Sequence, residues 1–465
     1  VTLRIGNAAG FWGDQLDAPV RLVEQTRLDY LTLEYLAELT MSILARLREK
    51  DPAAGYAHDF VELLPRIKSS LTGTYPLKIV TNAGGVNPRA CVIAAAKQLV
   101  DAGLGSVQLG MVEGDDLLRR LDELQRLGAP LANLDTGAAL STLKQKIVSA
   151  NAYLGAREIT ACLAAGAQIV VTGRVADASL TVGPAMHEFG WSWTDWDKLA
   201  AVSVAGHLIE CGAQATGGFS PFWNQIDLAR AGFPVAELDV DGSVVITKPA
   251  ETGGAVNIAT VSEQLVYEIG DPAHYLTPDV DVDFTTVSLE AAGVDRVAVL
   301  GATGRPAPTT LKVSLAYQDG YTASGQLIVY GSDCVAKAHE CARIIFARLH
   351  DAGFDYARSY VECLGAGDSV PGLHQPPRDL REVMLRITVH DPRRDAVERF
   401  TREIAPLATG GPAGLAGYTA ARGTTRPVFA YWPTLIDRSL VRPRYEVRPA
   451  VDWLVDNSRG PYWEA

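Results

Sequence analysis

The residues best suited to chemistry lie in the run from 202 to 214, Val-Ser-Val-Ala-Gly-His-Leu-Ile-Glu-Cys-Gly-Ala-Gln. Its small and apolar residues predict a buried helix. His207, Glu210 and Cys211 fall at i, i+3 and i+4, with Gln214 one turn further, so all four share a face. A His–Glu pair in a dry setting has coupled, perturbed protonation, which is a common property of acid–base sites. Ala215-Thr216-Gly217-Gly218 follows and would offer backbone donors. The plainer alternative is a buried, hydrogen-bonded structural pair. Zinc fits poorly, because H-x-x-E is not a familiar ligand spacing and no third ligand stands nearby. Cys211 beside His207 would suit nucleophilic catalysis.

Such a pair must be held by strands and helices. Residues 3–5, 77–81, 106–111 and 168–172 read as short buried strands. Asn87 followed by Pro88 marks a helix start, and Gly103 marks its stop. A Leu- and Arg-rich helix ends at Gly128, and a small-residue helix from about residue 156 ends at Gly166. A helix over 33–47 carries Leu36, Leu39, Ile43 and Leu47, a period that predicts a cover lying on the sheet. Strands alternating with helices imply a largely parallel, helix-covered sheet.

Ligands of open parallel sheets bind beyond the carboxyl ends of the strands. That rule collects Asn7, Phe11, Trp12 and Asp14 after the first strand, and Asn82, Gly84, Gly85 and Asn87 after the second. It adds Glu113 and Asp115 after the third, then Thr172, Gly173, Arg174 and Asp177 after the fourth. Asn7, Asn82 and the Gly84–Gly85 backbone are expected to hold a developing oxyanion. Arg174 is the fixed cation that would anchor a carboxylate. Asp177 joins His207 and Glu210 as a catalytic candidate, while Asp14, Cys211 and Gln214 are expected to contact substrate. Neither G-x-G-x-x-G nor G-x-x-x-x-G-K-[ST] occurs, so no dinucleotide or other cofactor is expected.

The second half has a different grammar. Asp241-Gly242 and Asp319-Gly320 each sit between apolar runs and read as hairpin turns. A helix over 334–349, strands near 360 and over 383–389, a helix over 395–404 and a strand over 428–431 follow. The expected architecture is therefore α/β: a Rossmann-like parallel-sheet domain over 1–250, then an α+β domain of hairpins and helices over 251–465, ferredoxin-like in outline. Asp279, Asp281 and Asp283 alternate along a strand-like run, which predicts one solvated face. Gly410, Gly411, Gly414, Gly417 and Gly423, with Arg422 and Arg426, form a Gly-rich stretch that reads as a lid or as a plain long loop.

The 465 residues carry a net charge of −12, with 48% hydrophobic and 21% charged residues. That balance argues against a dedicated nucleic-acid binder and against binding to anionic membranes. No apolar run approaches the roughly 20 residues of a spanning helix. The six cysteines contain no C-x-x-C pair and read as small buried thiols of a reducing cytosol, so a cytoplasmic location is expected. Val1 leaves open an initiator Met or a removed leader. A homo-oligomer is the base-rate expectation. An acidic chain that handles anionic groups needs a local positive spot, and Arg174 with Arg422 is the expected place.

Several long motifs carry a family resemblance: Arg4-Ile-Gly-Asn-Ala-Ala-Gly-Phe-Trp-Gly-Asp14, Leu28-Asp-Tyr-Leu-Thr32, Leu36-Ala-Glu-Leu-Thr-Met41 and Val80-Thr-Asn-Ala-Gly-Gly85. Val171-Thr-Gly-Arg-Val-Ala-Asp-Ala-Ser179, the stretch from Gly206 to Gly218, and Gly423-Thr-Thr-Arg-Pro427 continue it. Over almost its whole length the chain resembles the acyclic terpene utilization protein A family. The resemblance implies a metabolic neighbourhood: catabolism of acyclic terpenes and branched acids, beside biotin-dependent acyl-CoA carboxylases, acyl-CoA dehydrogenases and enoyl-CoA hydratases. No catalytic role is carried over from it. With the His207–Glu210 pair, it implies a lyase or hydratase moving a proton next to the carbonyl of a carboxylated or CoA-linked branched acyl substrate. CoA would enter only as part of the substrate. Two alternatives stand beside this: a non-catalytic partner of an acyl-CoA carboxylase, and a hydrolase or transferase using Cys211.

Overall fold

The computed structural model describes residues 2–373, 379–417 and 423–455. The chain forms two compact units, one of residues 1–316 with 431–465 and one of residues 317–430. The division expected near residue 250 is replaced by this one, and the reason is strand pairing. Val235–Leu238 pairs antiparallel with Leu3–Asn7, and Val244–Thr247, Arg296–Leu300 and Ser288–Gly293 add on in turn. Strands that look like the start of a second domain thus extend the first sheet.

The centre of that ten-stranded sheet is parallel, in the order Leu3–Asn7, Tyr30–Leu33, Lys78–Thr81, Ile169–Thr172, Gln108–Glu113. Arg444–Pro449 closes the far edge antiparallel to Gln108–Glu113. Ile5, Leu31, Leu33, Ile79 and Ile169 are fully buried, as expected for strands covered on both faces. Truncating one of them to Ala costs about 2–5 kcal/mol. The helix Pro88–Asp101 starts as its sequence dictates: the Asn87 side chain accepts from the Ala90 N–H, and Pro88 needs no donor at the first turn. The Trp196–Glu210 helix lies close against the start of the Ser179–Phe189 helix. A Cβ at Gly206 would sit 2.8 Å from the Ala178 Cα, so only glycine permits that approach.

Three expectations are corrected. Leu33, the expected start of a helix over 33–47, instead ends the strand Tyr30–Leu33, and the helix runs from Glu38 to Lys50. Its buried side chains are Met41, Ser42 and Leu44, while Leu39, Ile43 and Leu47 face outward. Met41 lies about 200° round the helix from Leu39, so the periodic stripe marks the wrong side. Asp279, Asp281 and Asp283 are buried rather than solvated. Asp279 accepts from the Ala156 N–H and the Ser179 hydroxyl, and Arg305 pairs with Asp281 and Asp283. Asp319-Gly320 turns no hairpin: Thr310–Tyr330 is one strand, because residues 321–330 pair with Glu382–Asp391 instead of folding back. Gly320 sits at φ +75° within it.

The second unit carries an antiparallel sheet in the order Arg358–Leu364, Glu382–Asp391, the 317–330 part of the long strand, then Leu415–Ala416. The helices Cys334–Asp351 and Arg394–Phe400 contribute Ile345, Leu349, Val397 and Phe400 to one core with Val383, Leu385, Ile387 and Val389. In chain order this is β–α–β–β–α–β with the first and third strands central, a split βαβ arrangement. Arg422 of the expected positive spot and lid lies outside the described residues.

Candidate active site

A cavity of about 830 Å³ opens in the larger unit beside the carboxyl ends of the Leu3–Asn7, Tyr30–Leu33 and Ile169–Thr172 strands. Asp14, Arg174, Asp177, His207, Glu210, Cys211 and Gln214 all line it. Asn7, Asn82, Gly84 and Gly85 do not.

His207 and Glu210 come from the last turn of the Trp196–Glu210 helix. His207 Nδ1 is 3.0 Å from Glu210 Oε1, and Nε2 is 2.9 Å from the Gln264 backbone carbonyl. A carbonyl only accepts, so Nε2 carries a proton. The remaining contact between Nδ1 and Glu210 therefore holds one shared proton, on the imidazole or on the carboxyl. The Gln264 amide returns a bond to the His207 carbonyl at 2.9 Å, which fixes the ring from both sides. Phe284 meets the ring edge-on at 5.5 Å, and Tyr275 packs at 6.0 Å. Glu210 Oε2 is buried without a partner. Burial pushes the Glu210 carboxyl up to about 7, against the pull of His207. For His207, burial works downward, but Glu210 and the Gln264 carbonyl outweigh it and hold the ring above its ordinary range.

Asn7 acts behind this pair. Its amide donates to the carbonyls of Ile209 at 2.8 Å and Glu210 at 2.9 Å, capping orphan acceptors at the helix end. Gly10 brings the same loop against Cys211, where a Cβ would lie 2.8 Å from the Cys211 carbonyl carbon. Asp14 braces that loop by accepting from the Gly10 N–H at 2.9 Å.

A second cluster of charge lies on the cavity wall. Arg174, buried, donates from Nη1 to Asp177 at 2.8 Å and to the Leu36 carbonyl at 3.0 Å. It also lies 3.7 Å from Glu34 and 4.1 Å over the Tyr153 ring. Its Nε has no partner. Glu34 accepts from the Leu36 N–H and from the Asn82 amide, so Asn82 positions a cavity carboxyl instead of lining the cavity. Burial lifts Glu34 well above the carboxylate range, with Asp177 adding to the rise. Asp177 is raised by burial too, against the pull of Arg174. Glu38 goes the other way. Its partial burial is outweighed by the Tyr153 hydroxyl at 2.6 Å and by the Lys312 and Arg174 cations, which bring it to about 2. Lys312 is 3.2 Å from Glu38. Behind the wall, Asp115 accepts from the Arg174 N–H at 2.9 Å and the Asn151 amide at 2.7 Å, and burial lifts it to about 7.

The glycines expected to hold an oxyanion serve packing. A Cβ on Gly84 would lie 2.4 Å from the Thr172 carbonyl oxygen, and Gly85 takes φ +54° against Leu44. Sequence reasoning missed Glu34, Glu38, Tyr153, Tyr275 and Lys312. Glu34 was within reach: it is the first residue beyond the Tyr30–Leu33 strand, so recognising that strand would have delivered it. Lys312 and Tyr153 come from the Thr310–Tyr330 strand and the end of Ile147–Ala152, where no local signal marks them.

Cys211 is a poor nucleophile here. Burial, with Glu210 nearby, pushes its thiol up to about 12, and the His207 Nδ1 is already engaged by Glu210. Among the described residues, no group of three or more His, Cys, Asp or Glu is arranged to hold a metal ion, and no helix is long and apolar enough to cross a membrane.

The larger unit is thus an open α/β sheet with a cavity beside its strand ends and a hydrogen-bonded His–Glu pair on the cavity wall. The chain belongs to the acyclic terpene utilisation family: the family model, acyclic terpene utilisation family protein AtuA, matches residues 3–447. That membership implies a role in acyclic terpene utilisation. No curated protein and no solved structure matches the chain.

Proposed function

We propose that the protein is a catabolic enzyme acting on a carboxylated or CoA-linked branched acyl substrate by proton transfer, as a lyase or hydratase. The observation that carries this reading is the His207–Glu210 pair, which shares one proton at the wall of a cavity large enough for a medium-sized ligand. A carboxyl poised near neutrality takes and returns protons at little cost. Glu210 is the acid–base group, because His207 spends both ring nitrogens on Glu210 and Gln264. In this reading Glu210 removes a proton from the carbon beside the carbonyl, and the C–H electron pair moves onto the carbonyl oxygen. Lys312 and Arg174 supply the positive field that stabilises the oxyanion. Return of the electrons expels a β-hydroxyl, which leaves as water with a proton from Glu34.

The test is exchange in deuterated water. Branched acyl-CoAs and free branched hydroxy acids are incubated with the protein and analysed by mass spectrometry. Deuterium at the carbon next to the carbonyl, lost in Glu210→Gln, supports the reading. Absence of any mass change, with a stoichiometric carboxylase complex recovered instead, sinks it in favour of a binding partner without turnover.

A further inference from the structure

A second cavity of the larger unit, about 280 Å³, shares no lining residue with the first. Its walls come mainly from the end of the Glu38–Lys50 helix, from residues 116–119 and from residues 146–151. Three cations line it, Arg48, Arg119 and Lys146, against two carboxylates, Glu49 and Asp116. The first cavity has the reverse balance, with Arg174 and Lys312 among six carboxyls. In a chain of net charge −12, the surplus of positive charge in the second cavity is a local feature. Both of its carboxylates are already answered. Glu49 pairs with Lys146. Asp116 accepts from the Leu118 N–H at 3.0 Å and, more weakly, from Arg48 at 3.3 Å. Arg48 spends only Nη1, on Asp116 and on the Val86 carbonyl at 2.6 Å; among the described residues its Nε and Nη2 make no hydrogen bond. Ser149, 3% exposed, lines the same space with a hydroxyl that has no partner. A buried hydroxyl left unpaired is costly. Asn151, two residues on and on the same strand face, spends its amide on Asp115 at 2.7 Å.

We infer that this second cavity is a separate binding site for a phosphoryl group, held by Arg48, Arg119, Lys146 and the Ser149 hydroxyl. These donors outnumber the two oxygens of a carboxylate and come from three separate stretches of chain. They suit the three oxygens of a phosphoryl group and its charge of about −1.5 to −2. Water alone brings no charge to answer the cations, and the space far exceeds the roughly 15 Å³ that one bridging water needs. The assignment does not depend on the chemistry proposed for the first cavity.

Free phosphate and the phosphoryl end of a larger metabolite share this chemistry. Calorimetric titration with inorganic phosphate and with glycerol 3-phosphate, at constant ionic strength, tells them apart. Saturable one-to-one binding is expected. Tighter binding of glycerol 3-phosphate means that the group arrives on a larger molecule, and tighter binding of phosphate means that it arrives free. Ser149→Ala is expected to weaken both about tenfold, while the thermal midpoint of the unliganded protein stays or rises because an unpaired hydroxyl is lost. The double variant Arg119→Gln with Lys146→Gln changes two exposed positions, so folding is little affected, and it should weaken both probes about tenfold or more. No saturable binding of either probe, or binding unchanged in both variants, would overturn the assignment. Binding lost in Lys312→Gln but unchanged in Ser149→Ala would place the anion in the first cavity and overturn it as well.

Discussion

Two groups of carboxyls face one cavity and are held by opposite means. Glu210 leans on a single imidazole and shares its proton. Glu34, Glu38 and Asp177 lean on permanent cations and on hydroxyl and amide donors. Burial penalises ionisation in every case, yet the outcomes diverge: Glu38 near 2, Glu210 near 7, Glu34 and Asp177 raised. Depth and partner act together: Glu38, part-exposed and held by Tyr153 and Lys312, stays charged, whereas buried Glu34 is raised despite Arg174. Glu210 and Glu34 are therefore suited to exchanging protons, and Glu38 with the Arg174 and Lys312 cations to keeping a fixed field.

The contrast can be broken at its sharpest point first. Glu210→Gln keeps the shape and removes the proton, so turnover should fall about 10²–10⁴-fold in steady-state assays with the stability largely kept. Retained turnover would erase the distinction between the two sides. Next is Arg174→Met, which strips the counter-charge from part-buried Asp177 and the donor from the buried Leu36 carbonyl. Urea unfolding should show a loss of about 3–5 kcal/mol, and adding Asp177→Asn should recover part of it.

Asp115 tests burial without a cation. Its carboxyl is lifted from 3.8 to about 7, so between those values the native state holds a proton that the unfolded chain has lost. Stability from this group is therefore greatest at the acid end and falls as pH rises through about 7. Asp115→Asn does not titrate, so its stability relative to the parent should rise by on the order of 4 kcal/mol across that window. A difference independent of pH would mean that Asp115 is already ionised at the acid end.

The smallest effect is expected from His207→Asn. Glu210 would lose the partner that pulls its carboxyl down, so the acid limb of the pH–rate profile should move up by about one unit. A merely structural His207 would lower the rate without moving the limb.

How much of this was readable beforehand differs between the same two sides. The His207–Glu210 pair announces itself by spacing on a helix of small residues, a purely local pattern. The Arg174 side is assembled from four separate stretches, so only Arg174 and Asp177, which follow a well-marked strand, were legible. Tyr30–Leu33 was overlooked because its four residues run straight into an apolar helix pattern, and Glu34 went with it. Asn7 and Asn82 were rightly placed at strand ends, but one step back from the cavity: each spends its amide on positioning, Asn7 on the helix end and Asn82 on Glu34. The parallel centre of the fold followed from alternation alone. The antiparallel extension did not, because pairing of Val235–Leu238 with Leu3–Asn7 spans more than two hundred residues.

The edge strand Arg444–Pro449 carries a consequence for biosynthesis. Its partner, Gln108–Glu113, leaves the ribosome roughly three hundred residues earlier. At about 5–20 residues per second, one rim of the nascent sheet stands open for tens of seconds. During that interval the unpaired N–H and C=O groups of Gln108–Glu113 form a template for any other extended chain. Truncation before residue 444 would make that opening permanent, so nonsense products of this chain should partition into aggregates.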